Sequence, residues 1–279
     1  MGKATYSEHP LVHLVQVGAG SGGMTVLDVV CRDPRITQVT LVEPDIYKPH
    51  NVARHLFPLS AVDGNKAELA SEWIRARRPD LKISLIIDDL MSRVHGEQIE
   101  AAFQQCDIGV CAADNEPAKF HFDMLMRRYR KPWTLGEVLA GGIGGFVHWF
   151  VPDGPCYGCV ASYLRRSVTT DLSKPPDYTA PGGPVPETTI PASRASIEVI
   201  AALHAQVTLQ LLGRPNDYAP GFTSLLFTLE KVPGIFDEAF RSHRFRIPRA
   251  PDCLVCRDAS LPADLDQALD DALTRLNQS

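Results

Sequence analysis

Two pairs of cysteines stand far apart in the chain: Cys156 and Cys159 frame "CYGC", and Cys253 and Cys256 frame "CLVC". Two C-x-x-C pairs supply four thiolates, the preferred donor set for a structural tetrahedral zinc. A closed four-sulfur site leaves no coordination position for a substrate, so such a metal would staple the end of the chain to its middle. The competing reading is two unrelated pairs of buried or redox cysteines. A second chemical set begins in "LVHLVQVGAGSGGMTVLDVV", residues 11–30. Here Gly18, Gly20 and Gly23, with Ser21 among them, form G-x-G-x-x-G between an apolar strand and an amphipathic run. Glycines allow a tight turn and a close backbone approach to a phosphate, and a helix start offers free N–H groups to an anion. Glu43 ends "QVTLVE", 20 positions after Gly23, where an acid can accept from ribose hydroxyls. To this point a nicotinamide dinucleotide fits as well as a nucleoside triphosphate.

The next stretch separates the two. "EPDIYKPHNVARHLFPLSAVDGNKAELA" sets Asp45, Asn51, Arg54 and Lys66 just past the second strand. A dehydrogenase needs the acidic ribose partner but not the cations; a triphosphate needs cations to neutralise charge on a leaving pyrophosphate. Asp114, in "AADN" with Asn115, is a carboxylate suited to a magnesium ion bridging phosphate oxygens. Each has a plainer reading. A lone Arg or Lys is usually a solvated charge, Asp45 could be a turn residue, and Asp114-Asn115 could be a helix N-cap.

These residues must be carried by strands. "HLVQV", "VTLVE", "KISLII", "DIGVCAA" and "PWTLGEVL" read as buried strands, with helices near 22–32, 60–77, 95–105 and 115–130 between them. The alternation predicts an α/β fold: a Rossmann-like, mostly parallel sheet with helices on both faces. Ligands of such sheets bind at carboxyl ends of strands, where the glycine turn, Glu43 and Asp114 all fall. After residue 140 the texture changes. "GGIGGFVHWFVPDG" predicts a bend and a strand, and 165–192 is polar and proline-rich, a crossover without regular structure. A helix over 193–212 and strands in "SLLFTLEKV" and "FRSHRFRIPRA" complete a smaller antiparallel, zinc-stapled part. We place one domain over 1–258, with its crossover near 161–192. An amphipathic tail over 259–279 carries Leu261, Leu265, Leu269, Ala272, Leu273 and Leu276 at helical spacing.

The chain has 279 residues and a net charge of −5, which gives no general pull toward nucleic acid. It shows no apolar signal core and no run of about 18 apolar residues. Seven cysteines in a chain of this kind point to a reducing, cytoplasmic setting, and Cys31, Cys106 and Cys111 read as small core residues.

Taken in order, the glycine motif, acidic strand end, "D-x-x-x-x-x-N-x-x-R", lysine, "A-D-N" and the two C-x-x-C pairs resemble the ThiF/MoeB/HesA family, the ubiquitin-activating-enzyme type of adenylation domain. The resemblance spans roughly residues 10–258. It implies an enzyme that binds Mg-ATP and adenylates the C-terminal carboxylate of a ubiquitin-like β-grasp protein, commonly as a homodimer. It implies further that Gly18, Gly20 and Gly23 line the phosphates and Glu43 holds the ribose. Asn51, Arg54 and Lys66 would contact phosphates, and Asp114 would carry magnesium. Arg54, Lys66 and Asp114 are then the catalytic set.

Three features depart from the family. Glu43 replaces the usual Asp, the N-terminal "R-Y-x-R-Q" segment is missing, and the crossover 161–192 holds no cysteine to receive a carrier as a thioester. Three fates of the adenylate follow: collection by a partner thiol or sulfur donor, an oxyester on Thr188 or Thr189, or attack by Cys31, Cys106 or Cys111. Rival functions are an NAD-dependent dehydrogenase, adenylation of a small-molecule, peptide or tRNA-bound group, and a silent scaffold for a ubiquitin-like protein and a conjugating enzyme.

Overall fold

The structure is a computed structural model, and it describes residues 11–164, 192–213 and 221–256. β1 (Val12–Val17), β2 (Ile36–Val42), β3 (Lys82–Ile86), β4 (Ile108–Cys111) and β5 (Trp133–Val138) pair in parallel. β6 (Gly144–Phe150), β7 (Ser224–Thr228) and β8 (Ser242–Phe245) continue the same sheet antiparallel, giving the order β3-β2-β1-β4-β5-β6-β7-β8. The antiparallel part anticipated for the C-terminal region is therefore an extension of the main sheet. β7 and β8 are shorter than the stretches expected to form them.

The chain leaves β1 toward β2 and β3, then returns to lay β4 on the other side of β1. That reversal opens a crevice at the carboxyl ends of β1 and β4, the usual ligand position of an open α/β sheet. Strands covered on both faces need apolar residues at every position, and β1 shows why its sequence barely alternates. Leu14 packs in one core with Met24, Leu27, Ala70, Ile74 and Ala205. Its neighbour Val15 packs in the other with Phe103, Phe122, Leu125 and Trp133. α1 (Ser21–Val30), α2 (Lys66–Arg75) and α6 (Arg194–Gly213) cover the first face; α3 (Gly96–Gln105), α4 (Glu116–Arg128) and α5 (Tyr157–Tyr163) cover the second.

α6 is long and apolar enough by composition to cross a membrane. It packs instead on α1, β5 and β6, burying Ile197, Ile200, Ala201, His204, Ala205 and Leu211. Its two buried polar side chains are satisfied locally. His204 Nε2 bonds Thr134 Oγ1 at 2.9 Å, and Thr208 Oγ1 lies 2.7 Å from the same hydroxyl.

The helix expected from residue 60 begins only at Lys66, because the preceding segment is a shaped loop with 3₁₀ turns at Pro49–Asn51 and Leu59–Ala61. Asn65 stops the loop and starts α2: its side chain accepts from the N–H groups of Ala67 (2.8 Å) and Glu68 (3.3 Å). Such a cap satisfies donors that the helix itself leaves orphaned. Asn65→Ala is expected to lower unfolding free energy by about 1 kcal/mol, read as a lower urea midpoint with an unchanged slope.

Candidate active site and metal centre

Gly18 turns the chain out of β1 with φ +94, a conformation that favours glycine, and a Cβ there would stand 2.6 Å from the Ala112 carbonyl oxygen. At Gly23 a Cβ would meet the Gly18 oxygen at 2.4 Å, so α1 can start this close to the turn only with glycine. Gly20 is the N-cap of α1 and Ser21 its first residue, and a Cβ at Gly20 would meet open space. Beneath the turn lies Gln16, a polar residue buried in the middle of β1 that the sequence reading passed over. Its amide donates to the carbonyls of Gly18 and Gly23, both at 2.8 Å.

Glu43 is buried, and both carboxylate oxygens are engaged: Oε2 accepts from Ala19 N–H (2.5 Å) and Oε1 from Asp45 N–H (2.9 Å). Burial raises its pKa, and those two N–H groups and Lys66 act in the opposite direction. In this arrangement Glu43 braces the glycine turn from β2.

The loop carrying Asn51 and Arg54 is closed at its base by Tyr47 N–H to Gly64 carbonyl and Asp63 N–H to Tyr47 carbonyl, each 2.8 Å. Tyr47, His55 and Phe57 pack ring to ring inside it, and Tyr47 Oη donates to the Phe57 carbonyl at 2.7 Å. Asn51 is buried and accepts from Lys48 N–H at 3.0 Å, so it shapes this loop. Arg54 is half-buried and makes no side-chain hydrogen bond or ion pair among the described residues. Lys66 is buried with its amine 2.8 Å from the exposed carboxylate of Asp45. Asp45 thereby gains a role as counter-ion that a turn residue would lack.

His55, the residue after Arg54, was missed by sequence reading. Its Nε2 is 2.9 Å from the Ala19 carbonyl, which can only accept, so Nε2 carries the proton and Nδ1 faces the Phe57 N–H at 3.4 Å. Burial pushes its pKa down to about 4, with Lys66, Arg194 and Arg54 acting the same way. The His55 carbonyl in turn accepts from Arg194 at the start of α6, 3.3 Å away.

Across the crevice, Asn115 accepts from Ala118 N–H at 2.8 Å and is the N-cap of α4. That leaves the exposed carboxylate of Asp114 without a side-chain partner among the described residues. The loop glycines, Glu43, Asp45, Asn51, Arg54, Lys66, Asp114 and Asn115 are thus all carried to one end of the sheet, by the turns that follow β1, β2 and β4. Thr188 and Thr189 lie outside the described residues, as does the tail. Cys31, Cys106 and Cys111 are fully buried, and burial pushes each thiol up to about 12, far from a reactive thiolate.

Apart from these three, the four remaining cysteine sulfurs lie within 4.8 Å of one another. Cys156–Cys159 is 3.7 Å, Cys156–Cys253 3.5 Å and Cys159–Cys256 3.4 Å. A regular tetrahedron with metal–sulfur legs of about 2.3 Å has edges near ~3.8 Å. Backbone N–H groups of Cys159 and Ala250 point at sulfurs at 3.4 Å, as suits thiolates that need donors. The cluster could hold a metal, and the fold has already brought its two halves together.

With the site assembled, comparison with known proteins decides the family. The model of the ThiF family matches residues 10–255. The chain belongs to the ThiF family. Membership supports the enzyme class read from the sequence, an adenylyltransferase of the ubiquitin-activating type. A curated relative, the SAMP-activating enzyme E1 of Haloferax volcanii, is 23% identical over 262 residues, covering 91% of this chain and 84% of its own. Among solved structures, E. coli MccB with ATP superposes with TM-score 0.64 at 18% identity, over 88% of this chain and 66% of its own. The Microcin C7 biosynthetic enzyme MccB in complex with N-formylated MccA gives TM-score 0.64 at 20% identity, over 88% and 67%. The ThiF-family chain studied here spans about two thirds of the MccB chains.

A histidine held neutral in the fold binds a proton only when unfolded, so stability rises with pH between its two pKa values. For His55 that window runs from about 4 to the ordinary histidine value of 6.5. Stability is expected to be full above it and to fall as pH drops through it, with a slope of at most about 1.4 kcal/mol per pH unit. His55→Gln keeps a donor for Ala19 and cannot titrate. Urea unfolding from pH 7 to 4.5 should show a shallower loss in that variant; parallel curves would remove His55 from the account. His204, pushed down to about 4 by burial, contributes alike in both.

Proposed function

We propose that this ThiF-family enzyme adenylates the C-terminal carboxylate of a ubiquitin-like β-grasp protein at the expense of Mg-ATP. The observation that carries the reading is that a cation, Arg54, and a carboxylate, Asp114, both without a side-chain partner among the described residues, stand on turns that flank one glycine loop. A dehydrogenase has no use for either. Glycine-loop amides and the start of α1 would receive phosphates, Arg54 and Lys66 would take the charge of the leaving pyrophosphate, and Asp114 would hold magnesium. Magnesium, when bound, neutralises phosphate charge and fixes the orientation of the phosphate chain.

The carrier's carboxylate oxygen attacks the α-phosphorus. The bond from that phosphorus to the bridging oxygen breaks, and pyrophosphate departs with the electron pair, leaving an acyl-adenylate. A C-terminal carboxyl with a pKa of about 3.5 is already ionised at neutral pH, so the step needs no general base. The catalytic work is alignment of two anions and cancellation of their charge. The buried state of Cys31, Cys106 and Cys111 supports a fate in which a partner thiol or sulfur donor collects the adenylate. The relative named as a SAMP-activating enzyme E1 supports a protein carrier. Adenylation of a peptide carboxylate is the second reading, favoured by the MccB structures that hold MccA.

Arg54→Ala and Asp114→Ala are expected to slow carrier-dependent ATP–pyrophosphate exchange by about 10²-fold or more, with the fold intact. Unchanged exchange in both would overturn the site assignment. Intact mass after incubation with Mg-ATP and a β-grasp carrier separates the fates: carrier-dependent ATP consumption with no covalent adduct is the expected result.

The four-sulfur cluster fits zinc, and we assign it a structural role because four thiolates close the coordination sphere. Native mass spectrometry is expected to find one zinc per chain. Cys256→Ser should lose it and lower the unfolding temperature, since the metal ties Cys156 and Cys159 to residues almost a hundred positions on.

A further inference from the structure

A set of polar contacts runs from the cysteine cluster to the turn of Asp114. Tyr157 lies inside the first C-x-x-C pair and is fully buried. Its hydroxyl donates to Glu116 Oε2 at 2.8 Å, its backbone N–H donates to Asp123 Oδ1 at 3.1 Å, and its ring meets Phe120 edge-on at 5.0 Å. All three partners are on α4. Glu116 is the first residue of that helix, two positions past Asp114. Its second oxygen accepts from Lys119 Nζ at 2.9 Å, and Lys119 also donates to Glu137 Oε1, 2.7 Å away at the end of β5. The knuckle therefore grips α4 in its first turn and again in its middle.

α5 is a seven-residue helix, too short to hold its own shape. Four sulfurs on one ion would fix it, because Cys156 and Cys159 flank Tyr157 on both sides. With the ion released, the four sulfurs lose their shared centre and Tyr157 loses the frame that aims its hydroxyl. Glu116 would then be oriented by Lys119 alone. The turn just before it, which carries Asp114, has Asn115 as its only other described side-chain anchor.

We propose that Tyr157 is a positioning residue through which occupancy of the four-cysteine site sets the order of the Asp114 turn, and thereby the affinity for the nucleotide's metal ion. The last step rests on the adenylation reading above; the first does not. Coupling of this kind is reciprocal, so bound Mg-ATP should slow zinc loss by the factor by which zinc tightens Mg-ATP.

The test uses the full chain loaded with zinc. Tyr157→Phe keeps the ring against Phe120 and the N–H bond to Asp123, and removes only the hydroxyl. Three quantities are read: zinc per chain, hydrogen–deuterium exchange over peptides spanning 114–120, and the Mg²⁺ midpoint for ATP binding. Ala118 and Lys119 report best, because their amides bond Asn115. Loss of a hydrogen bond to a charged acceptor should speed their exchange about tenfold, with zinc retained, and raise the Mg²⁺ midpoint by a similar factor. Chelation of zinc from the parent protein should speed the same amides. Glu116→Ala should do so as well, and Tyr157→Phe added to it should change nothing more. Unchanged exchange over 114–120 in zinc-loaded Tyr157→Phe overturns the proposal; if that variant loses zinc, unchanged exchange in Glu116→Ala does so. Faster exchange in a protein that never binds Mg-ATP would uphold the coupling and sink the adenylation reading instead.

Discussion

Two hydrogen bonds on one small residue organise the site. Ala19 N–H is held by Glu43 from β2, and Ala19 C=O is held by His55 from the loop beyond it. The glycine turn, a segment with little intrinsic preference for one shape, is thereby fixed against the segment that carries Arg54. Gln16 fixes the same turn from below. A glycine-rich loop gains close approach to phosphate at an entropic cost, because glycine has the most freedom to lose on folding. Bonds from three different elements offset that cost before any ligand arrives. This would matter for the proposed reaction, in which donors already in place need no reorganisation in the transition state.

The same segment shows how buried charge is tolerated. Lys66 is removed from water, but Asp45 stands 2.8 Å away with its own far side exposed. A buried ammonium with no partner would cost several kcal/mol by typical desolvation penalties. Asp45 offsets that cost and leaves one side of the pair in solvent; on the proposed reading an incoming phosphate would replace one anion by another at nearly constant charge. Arg54 has no such partner among the described residues, and stands half in solvent. Placement of the two cations thus follows their burial: the deep one is held and the shallow one is unheld.

Much of this was legible in the sequence. The fold followed from alternating apolar runs and helical patterns. The cysteine cluster followed from spacing alone. The placement of the candidate site residues at one end of the sheet followed from where strands end, since Gly18, Glu43 and Asp114 each come just after one. What sequence could not give was the use made of side chains by their own backbone. Glu43 was read for ribose and spends both oxygens on N–H groups of its neighbours; Asn115 rather than Asp114 is the cap. Gln16 did leave a signal, a polar residue amid an apolar strand, which can sit there only if it is bonded. His55 left less, because its role depends on a loop closure 47–64 that no periodicity describes.

The three cysteines outside the cluster carry the last step. A thiol becomes a nucleophile by standing as thiolate in a polar, open setting. Cys31, Cys106 and Cys111 have the reverse: apolar neighbours, full burial and pKa values pushed to about 12. The four remaining cysteines converge on one centre, and thiolates committed to a metal are poor acceptors for an acyl group. Among the described residues the chain therefore offers charge, alignment and a metal-ready frame, but no thiol free to take a carrier. On the proposed reading, an adenylate formed at such a site would find no acceptor thiol among the described residues, and a nucleophile brought by another molecule would be its consumer.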